Sequence, residues 1–174
     1  MAQLPHFDIE GAVYFVTTRL REDQSLITKF EAEIIQKVIL DLSNEEEIRL
    51  HAYAIMPNHL HILLEPKSHG ISKTMQLIKG RSSRQINVWR KANASPTLHH
   101  LRMGRALGRS DFSHPPNLWQ KGFFDFTILT EKKFKEKINY IHYNPVKWGL
   151  VEKAENYKYS SAREYKRKYG EVFY

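Results

Sequence analysis

With 174 residues, 41% of them hydrophobic and 12% aromatic, the chain has the length and apolar content of a single folded domain. It contains no cysteine, which excludes disulfides, a thiolate nucleophile and cysteine-ligated metal sites. A formal charge of +8 at pH 7 predicts a polyanionic partner, with nucleic acid ahead of an anionic membrane surface. No apolar stretch approaches the roughly 20 residues of a membrane span and no signal peptide is recognisable, so we expect a cytoplasmic protein without membrane attachment.

Helical and strand patterns follow one another irregularly along the chain. Apolar residues repeat at helical spacing in some segments, whereas β-branched and aromatic residues dominate others. In chain order they predict a strand at residues 12–18, a helix at 28–42, strands at 48–55 and 59–65, a helix at 71–90, a long basic loop at 92–117, a strand at 123–129 and helices at 131–143 and 157–169. Thr28 and Thr130 are the expected N-caps. Pro145 is expected to end its helix because the residue before a proline is pushed out of helical backbone.

This order of elements predicts an α+β fold, in which helices cover one side of an antiparallel sheet. We find no internal repeat and no composition typical of a linker, so the prediction is one domain over residues 1–174.

The positive charge is concentrated in a basic helix and loop at about residues 66–117. Residues 66–110 contain ten basic and no acidic residues, whereas the rest of the chain has seventeen basic and nineteen acidic ones. Charges that serve only solubility are normally mixed in sign, so this segment is predicted to contact phosphates. The candidate contacts are Lys73, Lys79, Arg81, Arg84, Arg90, Lys91, Arg102, Arg105 and Arg109. Trp119 is a candidate platform for base stacking, whereas Trp89 continues the apolar helix face and is predicted to pack in the core.

His59 and His61 are separated by one residue in a predicted strand. Residues two apart in a strand project from the same face, so both imidazoles point at one spot. Imidazole is the commonest protein ligand of transition metals. Taken alone, the pattern is more typical of two histidines that are each satisfied by a hydrogen bond.

Tyr140 and Asn144 are four residues apart and share one face of the last turns of their helix, away from its apolar stripe. Such a tyrosine is available as a nucleophile, although packing at the surface is its more usual role. Asn144 is either a helix C-cap before Pro145 or a metal ligand through its amide oxygen. Lys137, one turn before Tyr140, is either a solvated lysine or a contact for a phosphate or the phenolate.

Together these side chains would form a site for phosphoryl transfer. A phenol is a weak nucleophile at neutral pH. A metal on His59 and His61 would polarise a phosphodiester and stabilise the leaving 3′-oxygen, with Asn144 as third ligand. Ligand softness favours Mn²⁺ for this site, whereas cellular abundance favours Mg²⁺.

Motifs along most of the chain resemble those of single-tyrosine HUH transposases, the insertion-sequence 200-like transposases. Residues 51–66 (HAYAIMPNHLHILLEP) resemble the HUH motif, and residues 140–151 (YIHYNPVKWGLV) look like the tyrosine helix of the REP-associated tyrosine transposase branch. Shorter matches lie at residues 14–19, 77–80, 119–125 and 159–162. Phe15 and Phe126 depart from the pattern, since many relatives have histidine at the first position and histidine or arginine at the second.

The resemblance implies a ferredoxin-like antiparallel sheet with the HUH motif on a central strand and the catalytic tyrosine on a helix packed beside it. It implies metal-dependent cleavage and rejoining of single-stranded or hairpin DNA through a 5′-phosphotyrosine, without ATP, in transposition or recombination. Residue by residue, Tyr140 carries over as nucleophile, His59 and His61 as metal ligands, and Asn144 as third ligand. The implied partner is hairpin DNA of repetitive extragenic palindromes (REP). The protein would be nucleoid-associated, as a monomer or a homodimer.

The residues alone leave other functions open. A catalytically silent DNA-binding protein or repressor on the same fold predicts hairpin binding with a steep salt dependence, no metal requirement and no covalent adduct. A metal hydrolase would need a general base for water, which two histidines, a tyrosine and an amide do not obviously supply. A replication initiator or relaxase would share the chemistry, but such proteins are usually built into longer chains.

Overall fold

The computed structural model describes residues 8–93 and 117–170. In chain order they form β1 (Val13–Arg19), α1 (Lys29–Asn44), β2 (Ile48–Ile55), β3 (His59–Pro66), α2 (Ile71–Ala92), β4 (Phe124–Ile128), α3 (Glu131–Lys147), a short 3-10 turn (Ala154–Asn156) and α4 (Ala162–Tyr169). Every strand boundary agrees with its prediction to within one residue. The basic loop predicted at residues 92–117 lies almost entirely outside the described residues.

The four strands form one antiparallel sheet in the order β2-β3-β1-β4. With α1 after β1 and α2 after β3, this is the βαββαβ arrangement of ferredoxin-like folds. The predicted α+β antiparallel fold is therefore confirmed. β3 is paired with β2 on one side and with β1 on the other, so it lies in the interior of the sheet.

Helices cover both faces of the sheet, which corrects the prediction of helices on one side. β3 places Leu60, Ile62 and Leu64 in a core with α1 and α2. Leu63 packs on the opposite face, in a second core that includes Ile138 of α3. Because successive side chains of an interior strand point to opposite faces, one layer of helices cannot cover both sets.

The N-termini of α1 and α3 are closed by the threonines that the sequence predicts. Thr28 Oγ1 accepts a hydrogen bond from the Glu31 backbone N–H (3.3 Å), and the Glu31 carboxylate accepts one from the Thr28 backbone N–H (2.8 Å). This reciprocal pair is a capping box. Thr130 Oγ1 accepts from the Lys133 backbone N–H (3.2 Å) in the same way. Both predicted N-caps are confirmed.

α3 continues past Pro145, so the prediction that this proline ends the helix is wrong. The helix ends in a Schellman motif, in which the Gly149 N–H donates to the Val146 carbonyl and the Leu150 N–H to the Pro145 carbonyl, each at 2.9 Å. Gly149 has φ +67°, the left-handed conformation that the motif requires. These bonds and the burial of Pro145 offset the loss of the hydrogen bond that a proline cannot donate. Asn144 therefore lies inside the helix and is not its C-cap.

α4 begins at Ala162, several residues after its predicted start. The preceding segment pairs with the edge of β2. The Ile55 N–H donates to the Tyr159 carbonyl (2.9 Å), and the Ser161 N–H donates to the Tyr53 carbonyl (3.0 Å). Backbone groups bonded to a strand are not free to form a helix, which explains the later start.

The longest described helix, α2, has 22 residues and is interrupted by six lysine and arginine side chains. None of the helices within residues 8–93 and 117–170 combines the length and the apolarity needed to cross a membrane.

Candidate active site

β3 directs His59 and His61 to the sheet face that α3 covers. In the antiparallel register His59 lies opposite Arg19 of β1, and His61 lies opposite Thr17. Both imidazoles are buried, with 8% and 4% of their surface exposed. Their Nε2 atoms are 3.0 Å apart, about the separation of two nitrogens that bind one cation at ~2.1 Å and at right angles. The predicted pair therefore converges on one point.

Each imidazole is oriented by a hydrogen bond at Nδ1. His59 Nδ1 is 2.6 Å from Asn58 Oδ1, which can only accept, so this nitrogen carries the proton. His61 Nδ1 is 2.8 Å from Thr17 Oγ1. When His61 is also protonated at Nδ1, both Nε2 lone pairs face the same point, as metal binding requires.

Both histidines are neutral at pH 7. Burial lowers the pKa of His59 to about 4, and the charge of Arg19 contributes to the shift. Burial lowers the pKa of His61 to about 3, and electrostatic interactions with neighbouring basic groups add to the effect. These neighbours are His59, Arg19 and Lys137. Because a metal binds the neutral form of imidazole, no proton has to leave the pair before a cation enters.

α3 places Tyr140 against the histidine pair. Its ring centroid lies 5.1 Å from that of His61 and 5.7 Å from that of Phe15, edge to face in both cases. The side chain is 42% exposed, which leaves it accessible to a second molecule. An accessible phenol beside two neutral imidazoles is an arrangement suited to nucleophilic attack assisted by a metal.

Asn144 lies between two points at which α3 contacts the histidine pair. One turn before it, Tyr140 contacts His61, and one turn after it, the Trp148 ring centroid lies 5.7 Å from that of His59. The Asn144 side chain is buried, and its Oδ1 has no hydrogen-bond partner. A buried acceptor without a partner costs about 1–3 kcal/mol. A cation between the helix and the strand would satisfy it.

Two imidazole nitrogens and one amide oxygen fit a divalent metal ion. Within residues 8–93 and 117–170, no group of three or more His, Asp or Glu side chains is placed to hold a metal. The unpartnered amide oxygen of Asn144 is the candidate for a third ligand. A mixed nitrogen and oxygen set suits Mn²⁺, whereas Mg²⁺ prefers oxygen ligands and retains several waters.

Lys137 lies over an aromatic cluster, defined here as Phe15, Phe126 and Tyr140. Its Nζ is 4.7 Å from the ring centroid of Phe15 and 5.6 Å from each of the other two centroids. Phe15 and Phe126 lie opposite each other on β1 and β4. The two phenylalanines that depart from the family pattern therefore form walls of this cluster. Cation–π contacts hold the ammonium beside the phenol, where its charge is available to a bound phosphate.

α2 lies on the sheet face opposite the histidine pair, and some of its predicted phosphate contacts are bonded within the protein. Lys79 Nζ donates to three backbone carbonyls at residues 120–122, and burial lowers its pKa. Arg90 forms a salt bridge with the buried Glu31 at 2.6 Å. The polar groups of these two side chains tie α2 to neighbouring segments, and their contact with phosphate stays a prediction.

The remaining predicted DNA contacts differ in accessibility. Arg81 pairs with Glu45 at 2.6 Å on the surface, which leaves its guanidinium partly available. Lys73, Arg84 and Lys91 are exposed on α2. Arg102, Arg105 and Arg109 lie outside the described residues. For all of these, as for Lys137, contact with phosphate stays a prediction.

Trp119 is not a stacking platform, because the structure places it in the core. It is 2% exposed, and its Nε1 donates to Ser82 Oγ at 2.9 Å. An indole with both faces covered cannot stack on a base, so this prediction is wrong. Trp89 is half-buried and stacks on Phe30 with a centroid separation of 4.7 Å, in line with its predicted packing role.

Four residues of the site lie within the family-like segments of the sequence but are not singled out there as site residues: Thr17, Arg19, Asn58 and Trp148. Strand alternation puts Thr17 and Arg19 on one face of β1, but only the register with β3 shows that this face meets the histidines. Asn58 is signalled by its position beside His59. Trp148 is the C-cap residue of α3, a position that the expected helix end at Pro145 does not predict.

The sequence matches the family described as "Transposase IS200 like" over residues 10–144, a span that includes β1, the histidine pair, Tyr140 and Asn144. Because this match covers more than half of the chain, the chain belongs to the IS200-like transposase family.

Two individual proteins are similar to the chain over most of its length. The chain is similar to the REP-associated tyrosine transposase of Escherichia coli K12, with 22% identity over 164 residues that cover 92% of this chain and 82% of that protein. It is also similar to the solved structure of a REP-associated tyrosine transposase bound to a REP hairpin, with a TM-score of 0.71 at 19% identity. That match covers 100% of this chain and 91% of the other, and it shows that the two share a fold.

Proposed function

We propose that this chain cleaves and rejoins single-stranded or hairpin DNA through a 5′-phosphotyrosine intermediate at Tyr140. Membership of the IS200-like family supports strand cleavage and joining. The observation that carries the residue assignment is that α3 contacts both histidines, with Asn144 on the turn between the two contacts. Tyr140 contacts His61, Trp148 contacts His59, and the unpartnered Oδ1 of Asn144 lies on the helix turn between them.

Hairpin DNA is the proposed substrate class. A similar protein is a REP-associated tyrosine transposase, and the solved structure with the same fold is of such a transposase bound to a REP hairpin. The proposed place of action is the nucleoid in the cytoplasm. The geometry on β3 and α3 is consistent with a site completed within one chain, as monomer or homodimer.

His59, His61 and Asn144 would hold the divalent cation of this site through two Nε2 atoms and one Oδ1. When bound, a divalent cation polarises the scissile phosphate and stabilises the leaving 3′-oxygen. The hydrogen bonds from Nδ1 to Asn58 and Thr17 keep both imidazoles turned toward that position. Burial keeps them neutral and excludes bulk water from their side of the site.

Tyr140 performs the covalent step. Its hydroxyl oxygen forms a bond to phosphorus as the bond from phosphorus to the 3′-oxygen breaks, which leaves a 5′-phosphotyrosine and a free 3′-OH. The phenol releases one proton and the leaving 3′-oxygen takes one up, so the step is balanced in protons. Rejoining is the reverse, and needs no ATP because the ester retains the free energy of the phosphodiester. Lys137, whose Nζ lies 5.6 Å from the Tyr140 ring centroid, would supply positive charge near the attacking phenol and the bound phosphate.

Formation of a covalent adduct tests this function. Protein, Mn²⁺ and a library of labelled hairpin oligonucleotides with single-stranded flanks should yield a protein–DNA adduct that survives denaturing electrophoresis. Tyr140→Phe should abolish it, since no phenol oxygen remains to attack. Tyr143→Phe is the matched control, because Tyr143 is also exposed, at 46%, on the next part of the same helix. This variant should retain the adduct.

Two results would contradict the proposal. An adduct formed by Tyr140→Phe would assign the nucleophile to another residue. Tight hairpin binding by the unmodified protein, without an adduct and with no effect of chelating the metal, would identify a catalytically silent DNA-binding protein.

A further inference from the structure

Trp148 is an exposed aromatic side chain at the edge of the candidate active site. It is 55% exposed, and its ring is tilted by 54° to the ring of His59 at a centroid separation of 5.7 Å. An indole that keeps half of its surface in water forgoes the burial that a large aromatic side chain usually gains. Its position next to the histidine pair therefore suggests a ligand that covers it.

The backbone of Trp148 is held firmly. Its N–H donates to the Asn144 carbonyl at 3.0 Å, as the C-cap of α3. The two residues that follow form the Schellman bonds, with Gly149 in the left-handed conformation. The backbone that carries the indole is therefore already ordered. A base that stacks on the indole loses little binding free energy to backbone ordering.

Positive charge borders the candidate site that this indole flanks. Arg19 is exposed and lies directly opposite His59, the ring that Trp148 contacts, in the sheet register. Lys137 lies farther away on α3, beside Tyr140. Both charges act on the imidazole of His61. An exposed aromatic face next to cationic side chains is the combination that binds single-stranded nucleic acid, in which phosphates and unpaired bases alternate.

The other two tryptophans in the chain do not offer such a face. Trp119 is buried in the core, and Trp89 is stacked on Phe30 on the opposite side of the sheet. Trp148 is therefore the tryptophan that a strand in the candidate site would meet.

We propose that Trp148 is a stacking platform for an unpaired nucleobase next to the scissile phosphate, and that it helps to select the position of cleavage. The location of that phosphate rests on the proposed function. The stacking contact itself does not require Tyr140 to be the nucleophile. A base stacked on Trp148 would fix the strand beside His59, so that one phosphate of the strand reaches the histidine pair.

Equilibrium binding tests this contact. The protein carries Tyr140→Phe, so that it binds without cleaving, and the probe is a DNA hairpin with single-stranded flanks selected from a random library by binding to this variant. We expect Trp148→Ala to weaken binding about 5- to 150-fold, the range for loss of one base stacked on an aromatic ring. Abasic sites placed one at a time along the flanks should reveal one position with a similar loss. When the abasic site is at that position, Trp148→Ala should cause little further loss of affinity, because the two changes remove the same contact.

Conservative variants separate stacking from general apolar contact. Trp148→Phe should retain most of the affinity, whereas Trp148→Leu, which is apolar but lacks a π face, should lose it. Tyr169→Ala is a matched control, since Tyr169 is 53% exposed and ends α4 just before Gly170, whose φ is +77°. It lies on another helix and should leave the affinity unchanged.

The stacking proposal is overturned if Trp148→Ala weakens the intact hairpin and every abasic hairpin equally, or if Trp148→Leu binds as tightly as Trp148→Phe. The adduct assay with the unmodified protein keeps the two proposals apart. Coupling between Trp148 and one base without any adduct would retain the stacking site and reject the chemistry. An adduct without such coupling would retain the chemistry and reject the stacking site.

Discussion

Thr17 and Thr18 are neighbours on β1 whose hydroxyl groups have opposite surroundings. Thr17 Oγ1 is bonded to His61 Nδ1 at 2.8 Å, on the face that α3 covers. Thr18 projects from the other face, where its Oγ1 is buried without a hydrogen-bond partner. One hydroxyl therefore orients the His61 ring through its Nδ1 atom, whereas the adjacent hydroxyl makes no hydrogen bond.

Thr17→Val should weaken the binding of Mn²⁺ about 10- to 100-fold, because outer hydrogen bonds orient a metal-ligating imidazole and set its tautomer. Titration calorimetry, or the rise in melting temperature with added Mn²⁺, measures the effect. Thr18→Val is the matched control. It removes an unsatisfied buried hydroxyl, so it should leave metal affinity unchanged and the fold equally or more stable. Equal losses of metal affinity in both variants would show that β1 acts only through the fold.

The C-terminal turn of α3 determines where Asn144 and Trp148 lie relative to β3. That turn depends on Gly149, whose φ of +67° is strained for any residue with a Cβ. Gly80 is a helix glycine whose backbone conformation differs from that of Gly149. It lies within α2, where an added Cβ would meet no atom within 4 Å, and its backbone is not in the left-handed region.

Gly149→Ala should therefore destabilise the protein by about 1–2 kcal/mol, whereas Gly80→Ala should stabilise it by about 0.5–1 kcal/mol. Urea denaturation of the two variants measures both changes. Gly149→Ala should also reduce adduct formation, since the last turn of α3 positions Asn144. If Gly149→Ala is as stable as the unmodified protein, the helix does not require a left-handed residue at its end.

The elements and the candidate site differ in how far the sequence determines them. Thr28 and Thr130 mark helix starts because a cap is formed by residues a few positions apart. The pairing of residues 159–161 with β2 depends on contacts between distant segments, as does the continuation of α3 past Pro145. The same limit applies to the site. The spacing of its histidines is local, whereas the Thr17 hydroxyl and the Trp148 indole that contact them belong to β1 and α3.

The charge of the whole molecule is also only partly interpretable from the sequence. The basic segment predicts a surface for phosphates, and Lys73, Arg84 and Lys91 are exposed on α2. Lys79 and Arg90, however, are used to hold α2 against its neighbours. Moreover α2 and the histidine pair lie on opposite faces of the sheet, an arrangement that the order of elements leaves undetermined. DNA that touches both must pass around an edge of the domain.

Buried histidines make the stability of the whole molecule dependent on pH. His142 is fully buried, and its Nε2 is 2.9 Å from Ser161 Oγ, which links α3 to the start of α4. Burial lowers the pKa of His142 to about 4. In an unfolded chain a histidine titrates near pH 6.5. Between these values unfolding takes up a proton, so the stability present above about pH 6.5 is lost as the pH falls toward 4.

His142→Gln should flatten this dependence. Uptake of one proton on unfolding changes the free energy of unfolding by about 1.4 kcal/mol per pH unit. Between about pH 6 and pH 4.5, we expect the free energy of unfolding of the variant to depend on pH less steeply, by up to this amount. Denaturant unfolding at a series of pH values measures it. Above about pH 7.5 the two proteins should differ only by a constant amount, which serves as the internal control. Parallel curves over the whole range would show that His142 takes up its proton equally in both states.

The interior position of β3 has a consequence for how the molecule opens. Amide hydrogens of a strand that is paired on both sides exchange with solvent only when most of the domain unfolds, whereas a helix on the surface of a sheet can detach in a smaller opening. His59 and His61 lie on such a strand, and Tyr140 lies on such a helix. The proposed metal ligands on β3 and the proposed nucleophile on α3 therefore belong to units of different local stability. Openings that release α3 leave the two imidazoles in place.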